Sequence, residues 1–396
     1  MNLRLGKIRD VSGNLMIAVM INLHLINYAL VAARGTTTGF STIIYLGFFV
    51  VAIVVWIVQG KLKLDFKWLV AFAVLIIWHL CNASLSRINL LMLCAYVGMP
   101  FFIISNIKYK TERVLFYTII VSIVFIPGFS IMMARTKNSI VDVDVAYSVL
   151  PSIIAGIVHF AYFRKQIKKF ELLAYLISLF YLLQLFLNGL RGPLMCILIT
   201  ILLIYLFRFD KNDRLQFKQM NLGILIAILI AIFIVLFFES FLQLIVSLFQ
   251  MLNIDAYFVT KTIRLLRQGD IMNGRNELWR VAWNGFLNSP IWGNGFDSFQ
   301  HHTGYVYPHN FVLQSLYDGG LLFFIPLFCI VSIGSYRAIK SGNKETIAMY
   351  IFLCGFGMVY SFLSQDMYNI FYLWATVAFL LMQHRTKKIR RRIKND

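Results

Sequence analysis

Charged residues are scarce in this chain of 396 residues: they make up 14% of it, and only 17 are Asp or Glu. Apolar residues make up 60%, and the mean hydropathy is +0.75. This composition is not that of a soluble domain. The chain is therefore predicted to be a polytopic membrane protein.

Cysteine is also rare, and no cysteine falls in the longest polar interval, 261–320. A disulfide framework and a cysteine nucleophile facing an oxidising compartment are therefore not expected. Tandem repeats, low-complexity tracts and a hinge towards a second soluble domain are absent as well. The whole chain, 1–396, is predicted to be a single integral membrane domain.

Long apolar runs are what the sequence has instead. A run of about 17–25 residues crosses roughly 30 Å of hydrocarbon as a helix, which satisfies its own backbone hydrogen bonds. Such runs predict an all-α protein of about twelve transmembrane helices. They are 14–33, 41–60, 68–86, 88–107, 114–133, 147–163, 172–190, 192–207, 222–244, 318–336, 346–363 and 367–383.

The basic residues indicate the orientation of these spans. If the N-terminus is cytoplasmic, the inner segments hold 27 of the 37 Lys and Arg residues but only 8 of the 17 acidic ones. This is the positive-inside pattern, so both termini are predicted to be cytoplasmic. It explains the net charge of +20 without a nucleic-acid partner. The basic cytoplasmic tail, 384–396, is expected to contact anionic membrane lipids.

The interval between the ninth and tenth spans is the place where chemistry is expected. Its outer part, 245–317, is predicted to be a large extracytoplasmic loop with amphipathic helices. Arg264 and Arg267 stand three residues apart and so share one helix face. Arg275 and Arg280 are assigned to a second helix, whose free N–H groups also favour an anion. This arginine cluster suits a diphosphate, although ordinary surface salt bridges with nearby acidic residues would also explain it.

Arg191 lies in the short hairpin 188–193 between two spans, and so near the outer interface. Its guanidinium could bind phosphate, for which its planar set of donors is suited, or extend to the interface as an anchor. Asp142 and Asp144 fall in a predicted outer loop, 134–147. They could hold a cation or serve as acid and base, but a solvated loop is favoured.

His309 precedes a helix on which Asn310, Gln314 and Asp318 recur at every fourth position. That spacing predicts a polar stripe facing the bundle or a cavity. Histidine has a pKa suited to accepting a proton from a sugar hydroxyl, although a structural role for His309 is the alternative. No HExxH or CxxC spacing accompanies the histidines, so no metal is predicted.

Aromatic rings are frequent in the same interval. Trp292 and Tyr305 offer flat faces on which sugar rings could stack, and an interfacial aromatic belt explains them equally well. The connector 288–296 contains Gly293 and Gly295, which permit backbone conformations that other residues avoid.

Together these motifs resemble the O-antigen polymerase and O-antigen ligase superfamily of bacterial membrane glycosyltransferases. The similarity extends over about 185–320, with the order and rough spacing of the superfamily pattern. The motifs are Leu190-Arg191-Gly192, Asn273-Gly274-Arg275, the segment WNGFLNSPIWGNGF at 283–296, Pro308-His309-Asn310, Gln314 and Asp318-Gly319-Gly320.

The resemblance implies a GT-C-like enzyme of the bacterial inner membrane with its active site on the outer face. Such an enzyme transfers a glycan from undecaprenyl diphosphate to a sugar hydroxyl without metal or other cofactor. Arg191 and Arg275 match the arginines assigned to the diphosphate, and His309 matches the histidine assigned to the acceptor. The remaining predicted substrate-binding residues are Arg264, Arg267, Arg280, Asn310, Gln314, Asp318, Trp292 and Tyr305.

Three functions stay open at this point. The first is a polymerase that joins a growing chain to a lipid-linked repeat unit, with a chain-length regulator as a further partner. Ligases often carry a second histidine just before the His-Asn pair, whereas Tyr307-Pro308 stands here, and this favours the polymerase. The alternatives are a ligase that transfers the glycan to lipid A-core and a flippase for lipid-linked sugars. The sequence does not show two halves with matching hydropathy, and this argues against a transporter.

Overall fold

The structure is a computed structural model that describes residues 2–34, 41–60, 66–81, 90–136, 140–164, 169–187, 191–209, 215, 247–248, 251, 274–364, 366–368 and 371–383. Within these ranges the chain is nearly all helical. The described residues form no strand, and their only extended pairing is an isolated bridge between Phe209 and Leu215. The all-α class is therefore confirmed for the described residues.

The N-terminal helices follow one another with short connections. Helix α1 packs against α2, α6, α7 and α8, and α8 packs in turn against α9 and α10. The elements are α1 (Asn2–Arg34), α2 (Ser41–Val58), α3 (Phe66–Cys81), α4 (Leu90–Leu93), the π-helical turn π1 (Cys94–Gly98), α5 (Met99–Asn106), α6 (Thr111–Ile123), α7 (Ile126–Thr136), α8 (Ile140–Phe163), α9 (Lys169–Leu187) and α10 (Arg191–Leu206).

The C-terminal helices close the bundle. Helix α16 packs against α5, α13, α14 and π2, so it joins the two halves of the chain. The elements are α11 (Arg275–Asn288), α12 (Phe299–Thr303), α13 (Phe311–Lys340), α14 (Lys344–Leu353), the π-helical turn π2 (Cys354–Met358), α15 (Val359–Leu363) and α16 (Tyr372–Met382).

These helices occupy eleven of the twelve predicted spans, and the remaining one, 222–244, lies outside the described residues. Four described segments are long and apolar enough to cross a membrane: Asp10–Ala33, Asp144–Phe163, Phe311–Lys340 and Lys344–Leu363. A fifth arises if the bent pair of α6 and α7 is one span. The number twelve and the cytoplasmic termini stay predictions.

One bend between helices and one error in the predicted loops have local causes. The axes of α6 and α7 meet at 61°, where Pro127 in the first turn of α7 cannot continue the preceding helix. The predicted loop 134–147 is wrong at both ends, because α7 continues to Thr136 and α8 begins at Ile140. An acidic residue in the first turn, here Asp142, is favourable near a helix N-terminus, so it does not prevent the helix from starting there.

A buried polar network ties four helices together, α1, α6, α8 and α9. The Asn22 amide donates to the carbonyl oxygen of Thr118 at 2.9 Å, and the Ser152 hydroxyl donates to the Asn22 carbonyl oxygen at 3.2 Å. Ser178 then donates to the Ser152 carbonyl oxygen at 3.1 Å. Hydrogen bonds of this kind hold helices together where apolar contact alone discriminates little between partners.

Replacing Asn22 by alanine is expected to lower the free energy of unfolding by about 1–2 kcal/mol, because partner groups on two helices lose their hydrogen bonds. Chemical unfolding in detergent measures the change. Asn284→Ala, at an exposed position on α11, is the control and is expected to unfold as the wild type does. Equal effects of the two substitutions would contradict a structural role for the network.

Candidate functional site

Helix α13 is interrupted at Gly320, where the backbone leaves the helical region (φ 56°, ψ −156°). The interruption frees backbone groups that an apolar environment cannot satisfy. Loop 290–295 satisfies them by docking on the break. Its bonds run from the Asn294 N–H to Tyr317 O (2.8 Å), from the Gly295 N–H to Asp318 O (3.0 Å), from the Leu321 N–H to Pro290 O (2.8 Å) and from the Leu322 N–H to Ile291 O (3.2 Å).

Glycine is required on both sides of this contact. Gly293 has φ +73°, and a Cβ there would lie 2.4 Å from the carbonyl carbon and oxygen of Asp318. A Cβ at Gly320 would lie 2.5 Å from the carbonyl oxygen of Ile291. Glycine at these positions therefore allows the backbone of loop 290–295 to contact the backbone of α13. Gly293 belongs to the connector whose glycines were predicted to adopt unusual backbone conformations.

His309 and Arg275 are held by consecutive carbonyl groups at the end of α15. The Arg275 Nη1 donates to the carbonyl oxygen of Leu363 at 2.7 Å, and the His309 Nδ1 lies 3.2 Å from the carbonyl oxygen of Ser364. A carbonyl oxygen only accepts, so the Nδ1 carries the proton. The neutral ring then presents an unprotonated Nε2, which is the form of a general base.

The environment of His309 keeps its ring neutral. Burial lowers the pKa of His309 from its usual 6.5, the Ser364 carbonyl opposes this by favouring the charged form, and the Arg275 guanidinium lowers the pKa further. Its backbone has φ +55°, a left-handed conformation that is uncommon outside glycine. The Tyr307 ring packs on the imidazole with centroids 4.2 Å apart.

The polar stripe on α13 faces the bundle, as its spacing predicted. Asn310, Gln314 and Asp318 are all buried. Asn310 caps the helix by accepting from the N–H groups of the second and third residues after it. The Gln314 side chain donates to the Asp366 carboxylate at 2.9 Å and accepts from the Met367 N–H at 3.0 Å.

The stripe therefore holds segment 366–368, which directly follows the carbonyls that bind His309 and Arg275. Asp318 contributes through an interaction with the side chain of Tyr368. These contacts give the three stripe residues a positioning role within the protein. Their assignment to substrate stays a prediction.

The other predicted site residues are more dispersed. Arg280 is exposed on α11, and Tyr305 is exposed with its hydroxyl 3.3 Å from a Glu277 carboxylate oxygen. Trp292, also exposed, lines a largely apolar cavity of about 460 Å³ between loop 290–295 and α3. Arg264 and Arg267 lie outside the described residues. Arg191 begins α10, but its side chain also lies outside the described part.

Tyr147 on α8 connects the start of α10 with the His309 region, and the sequence reasoning missed it. A Cβ at Gly192 would lie 1.8 Å from the Tyr147 hydroxyl, so the Arg191-Gly192 backbone passes directly beside it. The same hydroxyl makes a hydrogen-bonding contact with Ser364. The Tyr147 ring stacks on Tyr360 with centroids 3.6 Å apart and planes 13° apart. The i, i+3 spacing of Asp144 and Tyr147 was the available signal, but Asp144 fell in the predicted loop and Tyr147 at its boundary with the predicted span 147–163.

Residues 173–328 match the Wzy_C family model, described as O-Antigen ligase. The match confirms the resemblance to the O-antigen polymerase and ligase superfamily. It covers Arg191, Arg275, His309 and the helix break at Gly320. A comparison with curated proteins found no match.

The O-antigen ligase match supports a membrane enzyme that transfers glycans, without separating polymerase from ligase. Among the residues that the structure describes, no three His, Cys, Asp or Glu side chains come together as a group that could hold a metal ion.

Substituting alanine at Gly293 tests the docking of loop 290–295 on the break in α13 at Gly320. Gly304 has almost the same backbone conformation (φ +74° against +73°), but open space surrounds it. Gly304→Ala therefore reports the conformational strain alone, about 1–2 kcal/mol. Gly293→Ala is expected to lower the unfolding temperature clearly more, because its Cβ also meets the α13 backbone. Equal losses in the two variants would contradict the close contact.

The protonation of His309 can be measured by NMR on protein with ¹⁵N-labelled histidine, assigned through His309→Gln. We expect a pKa below 6.5, so the ring is neutral at pH 7 and becomes charged only on acidification. Arg275→Gln removes a repelling charge and is expected to raise that pKa, whereas Arg275→Lys preserves the charge and the lowered value. An unchanged pKa in Arg275→Gln would rule out the electrostatic coupling.

Proposed function

We propose that this protein is a polymerase of O-antigen or a related surface polysaccharide in the bacterial inner membrane. It transfers a glycan chain from undecaprenyl diphosphate to a lipid-linked repeat unit on the periplasmic face. The observation that carries the proposal is the placement of His309 and Arg275 on the consecutive carbonyls of Ser364 and Leu363. This places a neutral imidazole and a guanidinium side by side.

The two groups have complementary tasks in such a transfer. The bond between the sugar anomeric carbon and the phosphate oxygen breaks, and negative charge grows on the departing diphosphate. Arg275 donates one hydrogen bond to the Leu363 carbonyl, and its other N–H groups are proposed to bind phosphate oxygens. These bonds strengthen as negative charge develops on the departing diphosphate. Arg191, at the start of the neighbouring α10, is assigned the same task.

His309 acts on the acceptor. Its Nε2 takes the proton of an acceptor hydroxyl as that oxygen forms the new bond to the anomeric carbon. General base catalysis of this kind contributes on the order of 10²–10⁴-fold in rate. The Ser364 carbonyl holds the tautomer that this step needs. Because the guanidinium groups neutralise the leaving group, the proposed mechanism uses no metal.

A ligase is the second candidate, because the matching family model carries that description. The Tyr307-Pro308 pair before His309 favours the polymerase, since ligases often have a histidine there. Deleting the gene and separating the surface glycans by size distinguishes the candidates. Cores capped with a single repeat indicate the polymerase, and bare cores with polymer left on lipid indicate the ligase. Repeats retained on the cytoplasmic side indicate a flippase and would overturn the proposal.

Complementing the deletion strain with variants tests the residue assignment. Arg191→Ala, Arg275→Ala and His309→Ala are each expected to be present in the membrane at the wild-type level and to abolish polymer, a loss of at least about 100-fold. Immunoblotting of membranes and gel analysis of glycans measure the two quantities. Arg337→Ala, on the predicted cytoplasmic end of α13, is the matched control and is expected to give normal chains. Near-normal chain length in the three site variants would refute the assignment.

A further inference from the structure

Asp144 is a carboxylate near the proposed site that the mechanism does not use. It lies on α8, one helical turn before Tyr147, so the two residues share a helix face. The side chain is only partly exposed. Its carboxylate interacts electrostatically with the hydroxyl groups of Tyr28, Tyr147 and Tyr360. Within the described ranges it makes no hydrogen bond and no ion pair.

A carboxylate in this setting is unfavourable for the folded protein. Withdrawing a charged group from water costs free energy unless hydrogen-bond donors replace the water, and the described residues give the Asp144 carboxylate no hydrogen bond. Groups left in this state are concentrated at functional sites, where a ligand completes their hydrogen bonds.

Contacts of Tyr147, one turn from Asp144, lead to the groups proposed to react. Tyr147 stacks on Tyr360, and its hydroxyl contacts both the Gly192 backbone and Ser364. The carbonyl of Ser364 holds His309. The Arg275 guanidinium also acts electrostatically on Tyr147. Asp144 therefore lies on α8 one turn from Tyr147, whose hydroxyl contacts the residue that holds His309.

The chemistry of the substrates identifies the ligand. An ionised carboxylate only accepts hydrogen bonds, so its ligand must donate them. The diphosphate offers acceptors and negative charge, which repel Asp144, and the polyprenyl chain offers neither donors nor acceptors. The hydroxyl groups of the glycan are the donors that remain.

We propose that Asp144 is a glycan-binding residue that accepts hydrogen bonds from sugar hydroxyls of the lipid-linked oligosaccharide. The inference rests on the proposed function. It divides the proposed site into two parts. The guanidinium groups bind the diphosphate, and the Asp144 carboxylate with the nearby tyrosines binds the sugar attached to that diphosphate. Asp144 would thus select for the position of hydroxyl groups on that sugar.

Equilibrium binding to the protein in nanodiscs tests this division. The two probes are undecaprenyl diphosphate and undecaprenyl diphosphate bearing the repeat-unit oligosaccharide, extracted from the deletion strain. Asp144→Ala is expected to weaken binding of the glycan-bearing lipid by about 10–100-fold, the value of a charge-assisted hydrogen bond, and to leave binding of bare undecaprenyl diphosphate within about twofold. Asp144→Asn keeps one acceptor oxygen and is expected to lie between wild type and Asp144→Ala. Arg275→Ala is expected to weaken both probes.

Two further measurements separate binding from structure. Asp10→Ala removes an exposed carboxylate from α1 and is expected to bind both probes as the wild type does. The unfolding temperature of Asp144→Asn is expected to equal or exceed that of the wild type, because an unfavourable charge is removed.

A lower unfolding temperature of Asp144→Asn, or equal losses of binding to both probes in Asp144→Ala, would overturn the glycan-binding role. Wild-type protein that binds the glycan-bearing lipid no better than the bare one would overturn it too, with the proposed function intact. Wild-type protein that binds neither probe would overturn the proposed function and the inference together.

Discussion

The constraint on which this structure depends is that a backbone surrounded by apolar groups must find all its hydrogen bonds within the protein. Regular helices meet the constraint along most of the described chain. At Gly320 the helix stops meeting it, and loop 290–295 supplies the missing donors and acceptors. A segment of the polar interval is thereby fixed to the bundle through main-chain bonds. The loop that precedes His309 is consequently part of the framework of the site.

The same reasoning explains why His309 and Arg275 meet. Helix α15 ends at Leu363, and the last carbonyls of a helix lack partners within it. Two side chains bind carbonyls at this end. Arg275 comes from α11, and His309 comes from the segment just before α13. Gln314 and Asp366 then hold the chain that follows. The site is thus built on a helix terminus whose unsatisfied acceptors orient the functional side chains.

Much of this arrangement could be predicted from the sequence. Apolar runs identified the helices, the four-residue spacing from Asn310 identified a buried stripe, and glycines identified the connector. Two kinds of information could not be read in this way. Ser364 takes part through its backbone carbonyl, which every residue has, so its side chain gave no indication. Asp144 was assigned to a loop because its segment lacks a long apolar run, although helix α8 begins at Ile140.

The π-helical turn Cys354–Met358 gives the span before Leu363 one residue more than a regular helix of that length. In an α-helix one residue corresponds to a rotation of about 100°. The additional residue therefore rotates the last turn of this span about the helix axis. This rotation determines the direction in which the carbonyls of residues 363 and 364 point. Restoring a regular helix by shortening this turn would direct those oxygens towards a different neighbour. The phase of one span thus governs the alignment of two side chains that come from elsewhere in the sequence.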